Sequence, residues 1–481
     1  MPVTQYCDQR FQNQRDLYQF LSRWQQDLTP EQPTQFISLS FEIAPVDPLL
    51  VFHQLAQPHQ LNCYFEKQEP SQHYTQPPQR TAIAAIGSVR EYAAHSAQRF
   101  TEIKKFIQTT SKSIVQAGVG SPAIAPTFFC GFTFQPNSVI PLEGGFPSGF
   151  AFLPQWQISQ MAEQTIALHH CQLQHDQSLD QQVDAIWKTL TQIQAINPRN
   201  TELLTGAALE ITQSFTEESG TFQAGVQAAL TAIAAQKLRK IVLAHILDIT
   251  ASQPFQPAHS LRKLRRLYPD CFLFSVGNRA GQSFLGASPE RLVCVRDRQL
   301  ITDALAGSAP RGATPKQDAQ LAHALLNSDK DNREHQMVVE FITQQLTALG
   351  LSPQRSPLRL RQLSNIQHLH TPIQATIPPT THILDVVAAL HPTPAVAGLP
   401  RDRACAEIAR LETFARSLYA APIGWVNHQG EGEFVVGIRS ALVQGCQARL
   451  FAGAGIVAGS DPDREWAEVQ LKLQTILANL V

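Results

Sequence analysis

Short runs of alternating apolar and polar residues fill roughly the first two hundred positions of the chain. The segments FISLSFEI (residues 36–43) and TAIAAIGSVREY (residues 81–92) have the two-residue period of strands that expose one face to solvent. Two glycine-rich segments, residues 118–134 and 141–154, predict further strands joined by loops. This half contains no recognisable catalytic constellation, and its pattern predicts a β-rich scaffold.

The second half of the chain mixes strand and helix periodicity. A continuous apolar strand, KIVLAHILDI, covers residues 240–249, and a run of strands is predicted between residues 271 and 312. Apolar residues then recur at helical spacing over residues 316–350, with a break expected at residues 327–331. The order of elements predicts a mixed α/β protein rather than an all-helical or all-strand one.

The last thirty residues, Leu450 to Leu480, predict a strand, a small-residue loop and a helix. Gly453 and Gly455 lack side chains, which allows a ligand to approach the main chain closely. Asp461 and Pro462 have the pattern of an N-cap followed by proline at the first helical position.

Three charged residues on this last helix share one face. Glu465, Glu468 and Lys472 are spaced i, i+3 and i+7, so their side chains point in the same direction. Such a face suits the joint binding of a cation and an anion better than it suits a hydrophobic core.

Composition narrows the classes of partner. The 481 residues carry 38 Lys and Arg against 39 Asp and Glu, so no overall field attracts nucleic acid or an anionic membrane. The eight cysteines form no C-x-x-C pair, which predicts free thiols in a reducing compartment. No signal peptide or membrane-length apolar run is apparent, and we expect a cytoplasmic protein. The oligomeric state is open, and the sequence is compatible with a monomer.

Several residues stand in places that favour chemistry but allow simpler interpretations. Lys240 begins an apolar strand, where a lysine more often extends to solvent. Glu290 follows Pro289 between apolar strands, and such a carboxyl group tends to have a raised pKa. Residues 306–308 predict a small-residue turn, which could bind an anion or be a plain turn. Arg439, within the apolar strand EFVVGIRSAL, needs an anionic partner from the protein or from a substrate.

The order of motifs in the second half resembles that of the chorismate-utilising enzymes, and among them isochorismate synthases most closely. The motifs are KIVLAHILDI, GASPERL, ALAGSAPRG, DKDNREH, IQHL, HPTPAVAGLPRD, LYAAPIGW, GIRSAL and LFAGAGIVAGSDPDREWAEVQLKL. The resemblance implies an α+β fold of large, mostly antiparallel sheets packed between layers of helices. It also implies two regions: a variable N-terminal scaffold lobe over residues 1–205 and a chorismate-binding catalytic domain over residues 206–481.

The family pattern assigns roles to particular positions of this sequence. It implies that Lys240 is the general base, that Glu290 is the general acid, and that Glu334 and Glu468 hold Mg²⁺, a hard cation that takes few carboxylates. Glu465 and Asp331 become candidates for water-bridged metal partners. The substrate-binding positions that it implies are Leu305, Gly307, Ser308, Tyr419, Arg439, Gly453, Gly455 and Lys472.

The implied reaction is Mg²⁺-dependent isomerisation of chorismate to isochorismate, in which water adds at C2 and the C4 hydroxyl leaves. Lys240 would act as the free amine and Glu290 as the protonated acid. The alternative is salicylate synthase, which goes on to eliminate pyruvate. Anthranilate or aminodeoxychorismate synthase is disfavoured by Lys240 and by Ala306, where the latter enzymes have a lysine. The pathway that uses the product, whether for quinones, siderophores or salicylate, is left open.

Overall fold

The computed structural model describes most of the chain. The described residues are 6–29, 31, 34–69, 79–119, 125–136, 145–162, 164–197, 209–216, 219–364 and 366–480. The predicted boundary between residues 205 and 206 lies outside them. Among the described residues, no helix is both long and apolar enough to cross a bilayer.

Eleven helices are present in the described part of the chain. In chain order they are α1 (Gln14–Gln26), α2 (Pro48–Leu55), α3 (Arg99–Lys112), α4 (Leu179–Gln194), α5 (Ser219–Ala234), α6 (Pro257–Leu267), α7 (Pro315–Leu326), α8 (Asp329–Ala348), α9 (Ile383–Leu390), α10 (Arg401–Leu411) and α11 (Pro462–Leu480). The break expected at residues 327–331 is confirmed, because α7 ends and α8 begins there. Ser328 starts α8 by accepting a hydrogen bond from the backbone N–H of Asp331 at 3.2 Å.

The strands of the described residues belong to two sheets. They are β1 (Tyr6–Asp8), β2 (Thr34–Ile43), β3 (Asn62–Glu69), β4 (Gln79–Ile86), β5 (Arg90–Ala94), β6 (Ile114–Gly118), β7 (Thr127–Phe132), β8 (Gly149–Leu153), β9 (Trp156–Met161), β10 (Gln164–Gln174), β11 (Ile211–Thr216), β12 (Lys240–Ala251), β13 (Phe272–Gly277), β14 (Gln282–Ser288), β15 (Arg291–Arg296), β16 (Gln299–Pro310), β17 (Gln354–Arg355), β18 (Arg359–Gln362), β19 (Ile366–Thr376), β20 (Gly398–Leu399), β21 (Pro422–Asn427), β22 (Gly432–Val436), β23 (Ser440–Gln444) and β24 (Gln447–Val457).

The larger sheet of the described chain has fourteen strands, in the order β1-β6-β2-β10-β9-β4-β3-β13-β14-β23-β24-β12-β11, with β20 also paired to β12. The smaller has ten, in the order β17-β19-β16-β15-β22-β21-β7-β8-β5, with β18 also paired to β19. Among these strands the only parallel pairings are those of β6 with β1 and with β2. The predicted fold class, with large and mostly antiparallel sheets between helices, is confirmed.

Strands from both halves of the chain share each sheet. In the larger sheet β3 pairs with β13, and in the smaller sheet β7 pairs with β21. The N-terminal region therefore extends the sheets of the C-terminal region. The two-region division at residue 205 stays a prediction about the sequence.

Two of the places where the chain crosses from one sheet to the other are adjacent. Strand β14 lies in the larger sheet and β15 in the smaller, and Pro289 and Glu290 join them. Likewise β22 lies in the smaller sheet and β23 in the larger, and residues 437–439 join them. The two crossings are tied together, because Val436 N–H donates to Glu290 C=O at 3.1 Å and Ala287 N–H donates to Arg439 C=O at 3.2 Å.

This crossing corrects the prediction for Arg439. The sequence EFVVGIRSAL is not one strand, and Arg439 stands between two strands with a left-handed φ of 50°. The apolar pattern was misleading because β22 and β23, which flank the bend, are both largely buried although they belong to different sheets. The run of apolar residues therefore continues from one strand into the next without marking the bend.

A glycine beside the first residue of β12 offers a test of this packing. Gly398 has a φ of 137°, and a Cβ there would lie 2.2 Å from the carbonyl oxygen of Lys240. We expect Gly398→Ala to destabilise the protein by at least about 2 kcal/mol, because backbone atoms must move apart. Thermal unfolding should show a lower midpoint.

Gly220→Ala is the matched control, since a Cβ at Gly220 meets nothing within 4 Å. Its midpoint should stay the same or rise, because alanine favours the helix. Equal midpoints for the two variants would contradict the close approach of β20 to β12.

Candidate active site

The wall of the candidate site is the pairing of β12 with β24. In this register Lys240 lies opposite Val457, Val242 opposite Gly455, and Ala244 opposite Gly453. Residues directly opposite each other in a sheet project from the same face. Lys240 and the two glycines therefore lie along one face, as the alternation in the sequence predicted.

Lys240 is buried and forms an ion pair across this face. Its side chain is 1% exposed, and its Nζ lies 2.8 Å from Oε1 of Glu334, which comes from α8. A buried ammonium group needs such a partner, because removal from water costs several kcal/mol. Lys240 therefore does not extend to solvent, which was the more common structural interpretation.

Gly455 makes room for this ion pair. A Cβ at Gly455 would stand 3.2 Å from both Glu334 Oε1 and Lys240 Cε. Similarly, a Cβ at Gly453 would stand 3.1 Å from the hydroxyl of Tyr419. Both glycines thus leave room for side chains of the protein itself. The sequence pattern had suggested that they leave room for a ligand, and it could not distinguish these two possibilities.

Glu290 is a buried carboxyl group at the crossing between the sheets. It is 6% exposed. Burial raises the pKa of Glu290 to about 8; the nearby Asp303 also raises it, and the charges of Lys240 and Arg361 lower it. The expectation of a raised pKa from its apolar surroundings is met by this environment, and Glu290 is protonated at neutral pH.

Three carboxylates from two helices are linked through Glu465 of α11. Glu465 is near enough to both Glu334 of α8 and Glu468 of α11 for their charges to act on it. Burial raises the pKa of Glu465, and the negative charges of Glu468 and Glu334 raise it further. The hydrogen bond from Ser460 and the charge of Lys330 lower this pKa but do not cancel the rise. For Glu334, burial is outweighed by Lys240, Lys330 and Lys472, so its pKa is lowered.

Cations already approach this acidic group. Lys472 Nζ lies 2.7 Å from Glu468 Oε1, and Lys330 Nζ lies 3.8 Å from Glu465 Oε1. No set of three or more ligand side chains is assembled for a metal within the described ranges. Mg²⁺ needs fewer, because it keeps water and takes one or two carboxylates together with substrate oxygens. The crowded carboxylates, Glu334 and Glu468 among them, fit that donor set.

Cationic and hydroxyl groups line the rest of this region. Lys472 also donates to the carbonyl of Gly453 at 2.9 Å. The ring of Tyr419 stacks on Phe451 at 5.1 Å, which fixes its hydroxyl above Gly453. Half-buried Arg439 has no ion-pair partner among the described residues, and its closest polar contact there is Cys271 Sγ at 3.8 Å. This arginine is available to an anion.

The second wall is β16 with its neighbour β19. Residues 306–308 do not form a turn, which corrects the prediction: they lie within β16, and the register with β19 shifts between Ala306 and Ser308. Gly307, with φ 74°, is the extra residue of this bulge, and its Cβ position faces Asp331 at 3.1 Å. The sequence suggested a turn because glycine and serine favour both structures. Leu305 is buried just before the bulge.

Ser308 points towards a histidine to which the sequence assigned no role. Its Oγ lies 2.7 Å from Nδ1 of His368. Burial lowers the pKa of His368 to about 3, with Arg439, Lys472 and Arg361 acting in the same direction. His368 is therefore neutral, and its Nε2 makes no hydrogen bond within the described part of the chain. The motif IQHL was the available signal for this residue.

The arrangement defines a class: an enzyme-type site for a small anionic substrate, in which a buried lysine and a protonated acid lie near acidic side chains and cationic donors. The family profile described as "Chorismate binding enzyme" matches residues 19–481. The chain belongs to the chorismate-binding enzymes.

Individual relatives agree with this assignment. The salicylate biosynthesis isochorismate synthase of Pseudomonas aeruginosa is 34% identical over 448 residues, covering 92% of this chain and 89% of that protein. The isochorismate synthase MenF of Bacillus subtilis is 28% identical over 457 residues, covering 92% and 93%. The structure of MenF, the menaquinone-specific isochorismate synthase from Escherichia coli, is similar with a TM-score of 0.76 at 26% identity, covering 97% of this chain and 100% of that one.

A buried ion pair holds β12 in place and provides a test. Arg416 and Glu412 are 3% and 4% exposed, and Arg416 Nε donates to Glu412 Oε2 at 2.8 Å. Glu412 accepts from Ala244 N–H, and Arg416 donates to Val242 C=O, both at 2.8 Å. We expect Arg416→Met to destabilise the protein by about 3–5 kcal/mol, because it leaves a buried charge unpaired. Chemical denaturation measures the loss.

Two further variants make this test specific. The double variant Arg416→Met, Glu412→Gln should be more stable than Arg416→Met alone, since no unpaired charge remains. Arg410→Met removes an exposed pair, in which Arg410 and Glu407 are 61% and 33% exposed, and should change stability by less than about 1 kcal/mol. If all three variants lost the same stability, the pair would have no special part in holding β12.

Proposed function

We propose that this enzyme converts chorismate to isochorismate with water as the nucleophile. The observation that carries the proposal is the placement of buried Lys240 beside Glu334. The buried acid Glu290 is close enough for the charge of Lys240 to lower its pKa. The similarity to isochorismate synthases over more than nine-tenths of the chain supports the same activity.

Lys240 is the proposed base. It removes a proton from the water that attacks C2, for which it must be the free amine. In the structure its Nζ is paired with Glu334, so this ion pair has to open before the transfer. A basic side chain is required here because water, unlike ammonia, is a poor nucleophile without a base.

Glu290 is the proposed acid. With a pKa of about 8 it carries a proton at neutral pH and donates that proton to the departing C4 hydroxyl. Its position at the crossing between two sheets fixes the carboxyl group through backbone bonds on both sides. Acid and base thus come from different parts of the fold, Lys240 from β12 and Glu290 from the crossing between β14 and β15.

Binding of the two substrate carboxylates is proposed for the cationic and polar groups of the site. Arg439 has no carboxylate partner among the described residues, and Lys472 lies at the Gly453 end of β24. Tyr419 and the neutral His368 add hydrogen-bonding groups. An anion that pairs with Arg439 would remove the cost of an unpaired, half-buried cation.

Magnesium is the proposed cofactor, held by Glu334 and Glu468, with Glu465 and Asp331 as the proposed partners of its waters. When bound, it would withdraw electrons from the substrate's ring carboxylate and diene. Glu334 is thus the partner of Lys240 in the structure and also a proposed ligand of the cation.

A product assay tests the proposed reaction. Purified protein with chorismate and Mg²⁺ should yield isochorismate, identified by chromatography and mass spectrometry. Lys240→Ala and Glu290→Gln should lower kcat by about 10²- to 10⁴-fold, because each removes a proton-transfer group. Both variants should bind chorismate almost as well as the unchanged protein.

Lys316→Ala, at an exposed position in α7, is the control and should retain full activity. Release of pyruvate without a second enzyme would favour the alternative, a salicylate synthase. A product that forms only with ammonia would contradict the choice of water. Near-normal hydration by Lys240→Ala would refute the assignment of the base.

The metal assignment has its own test. After chelation with EDTA, activity should disappear and return on addition of Mg²⁺. Glu334→Ala and Glu468→Ala should raise the Mg²⁺ concentration for half-maximal activity by at least about 10-fold, since even outer-shell partners have effects of this size. Glu340→Ala, two turns further along α8, should leave it unchanged. Unchanged Mg²⁺ dependence in both ligand variants would place the metal elsewhere.

A further inference from the structure

A buried carboxylate, Asp303 of β16, stands behind the proposed acid. It is 7% exposed, and its Oδ1 accepts a hydrogen bond from Nε2 of His370 at 2.8 Å. Its Oδ2 lies 3.7 Å from Arg291 Nη1 and 3.8 Å from Arg361 Nη1. Three donors from three strands therefore surround one carboxylate.

These donors keep Asp303 ionised. Burial by itself would raise its pKa, but the hydrogen bond from His370 and the charges of Arg291 and Arg361 outweigh burial and lower that pKa below the ordinary value. His370 is itself held in place, with Nε of Arg359 lying 3.4 Å from its Nδ1. Asp303 is thus a permanent negative charge in the interior.

The backbone places this charge next to Glu290. Thr302 Oγ1 donates to the carbonyl of Leu292 at 2.7 Å, so β16 runs alongside the residues that follow Glu290. Arg291, the residue after Glu290, reaches Asp303 directly. Asp303 is two positions before Leu305 on β16, so the two side chains lie on the same face of this strand. The bulge at Gly307 follows directly after Leu305 and Ala306.

The charged groups that face Glu290 come from three elements: Lys240 on β12, Asp303 on β16 and Arg361 on β18. Burial and Asp303 favour the protonated carboxyl group, whereas Lys240 and Arg361 favour the carboxylate. Asp303 is the anion in this set, and it opposes two cations that would otherwise ionise the acid.

We propose that Asp303 is a positioning residue for the acid, a fixed anion that keeps Glu290 protonated, while His370, Arg291 and Arg361 hold Asp303 charged and in place. Asp303 does not touch the reacting atoms and transfers no proton. This inference rests on the proposed role of Glu290 as the acid. A purely structural ion cluster would stabilise the fold equally well but would not govern the proton on Glu290.

The test is the pH dependence of kcat/KM for chorismate. The unchanged enzyme should lose activity as the pH rises through about 8, because Glu290 then loses its proton. This fall in activity is the alkaline limb of the pH profile. Asp303→Asn removes the anion and should move the alkaline limb down by about one pH unit. At pH 6 the variant should remain within a few-fold of the unchanged enzyme. Asp303→Glu retains the charge and should keep the limb close to its original position.

Asp47→Asn is the matched control. Asp47 is also a largely buried carboxylate held by an arginine, with Arg265 Nη1 at 2.6 Å, but it lies outside the proposed site. Its substitution should lower stability without moving the limb. If Asp303→Asn leaves the limb where it is, or moves it no more than Asp47→Asn does, the inference is wrong.

A second variant covers failure of Asp303→Asn to fold. His370→Phe removes the hydrogen bond that helps to keep Asp303 ionised, and His370 is not among the charged groups that act on Glu290 directly. The alkaline limb should then move downward. A limb that stays or moves upward would overturn the inference.

A spectroscopic titration separates this inference from the proposed function. The infrared band of the protonated carboxyl group, assigned by its loss in Glu290→Gln, should vanish at lower pH in Asp303→Asn than in the unchanged protein. If that shift occurs in a protein that does not convert chorismate, the coupling of the two carboxyl groups stands and the proposed reaction fails. If chorismate is converted but neither band nor limb shifts, the reaction stands and the coupling fails.

Discussion

A lysine buried at the start of an apolar strand is the constraint around which the site is arranged. Taking an ammonium group out of water costs several kcal/mol unless a carboxylate meets it. Glu334 does so at 2.8 Å, and Gly455 on the adjacent strand leaves room for this contact, since a Cβ there would crowd both side chains. The ion pair thereby joins α8, which packs on strands of the smaller sheet, to β12 of the larger sheet.

The position of the site follows from where the chain passes from one sheet to the other. At residues 289–290 and 437–439 neighbouring strands leave one sheet and enter the other, and the two crossings are hydrogen-bonded to each other. Backbone at a crossing points its side chains between the sheets. Glu290 and Arg439 both stand there, so the crossings hold an acid and a cation that has no ion-pair partner within the described residues.

Charge within this interior is graded. On one side Glu334, Glu465 and Glu468 are each paired with a lysine, namely Lys240, Lys330 and Lys472. On the other side Asp303 is surrounded by His370 and two arginines. Glu290 lies between these groups with a pKa of about 8. A carboxyl group in this place keeps a proton at neutral pH because burial and Asp303 outweigh the nearby cations.

The sequence by itself determined the elements and many of the candidates. Helical spacing placed Glu465, Glu468 and Lys472 on one face of α11, strand alternation placed Lys240 with the face of Val242, and the break before α8 was visible at Ser328. These are local properties of backbone geometry, which repeats every 3.6 or 2 residues whatever the surroundings. Candidate roles for Glu290 and Arg439 came from the same reasoning together with the family pattern.

Only the tertiary structure decided what meets across the chain. It turned the expected strand around Arg439 into a crossing and the expected turn at residues 306–308 into a bulge. It also brought Glu334 to Lys240, 94 positions away, and His370 to Asp303, 67 positions away. Local periodicity carries no record of such distances, because the register between distant strands depends on packing of the whole sheet.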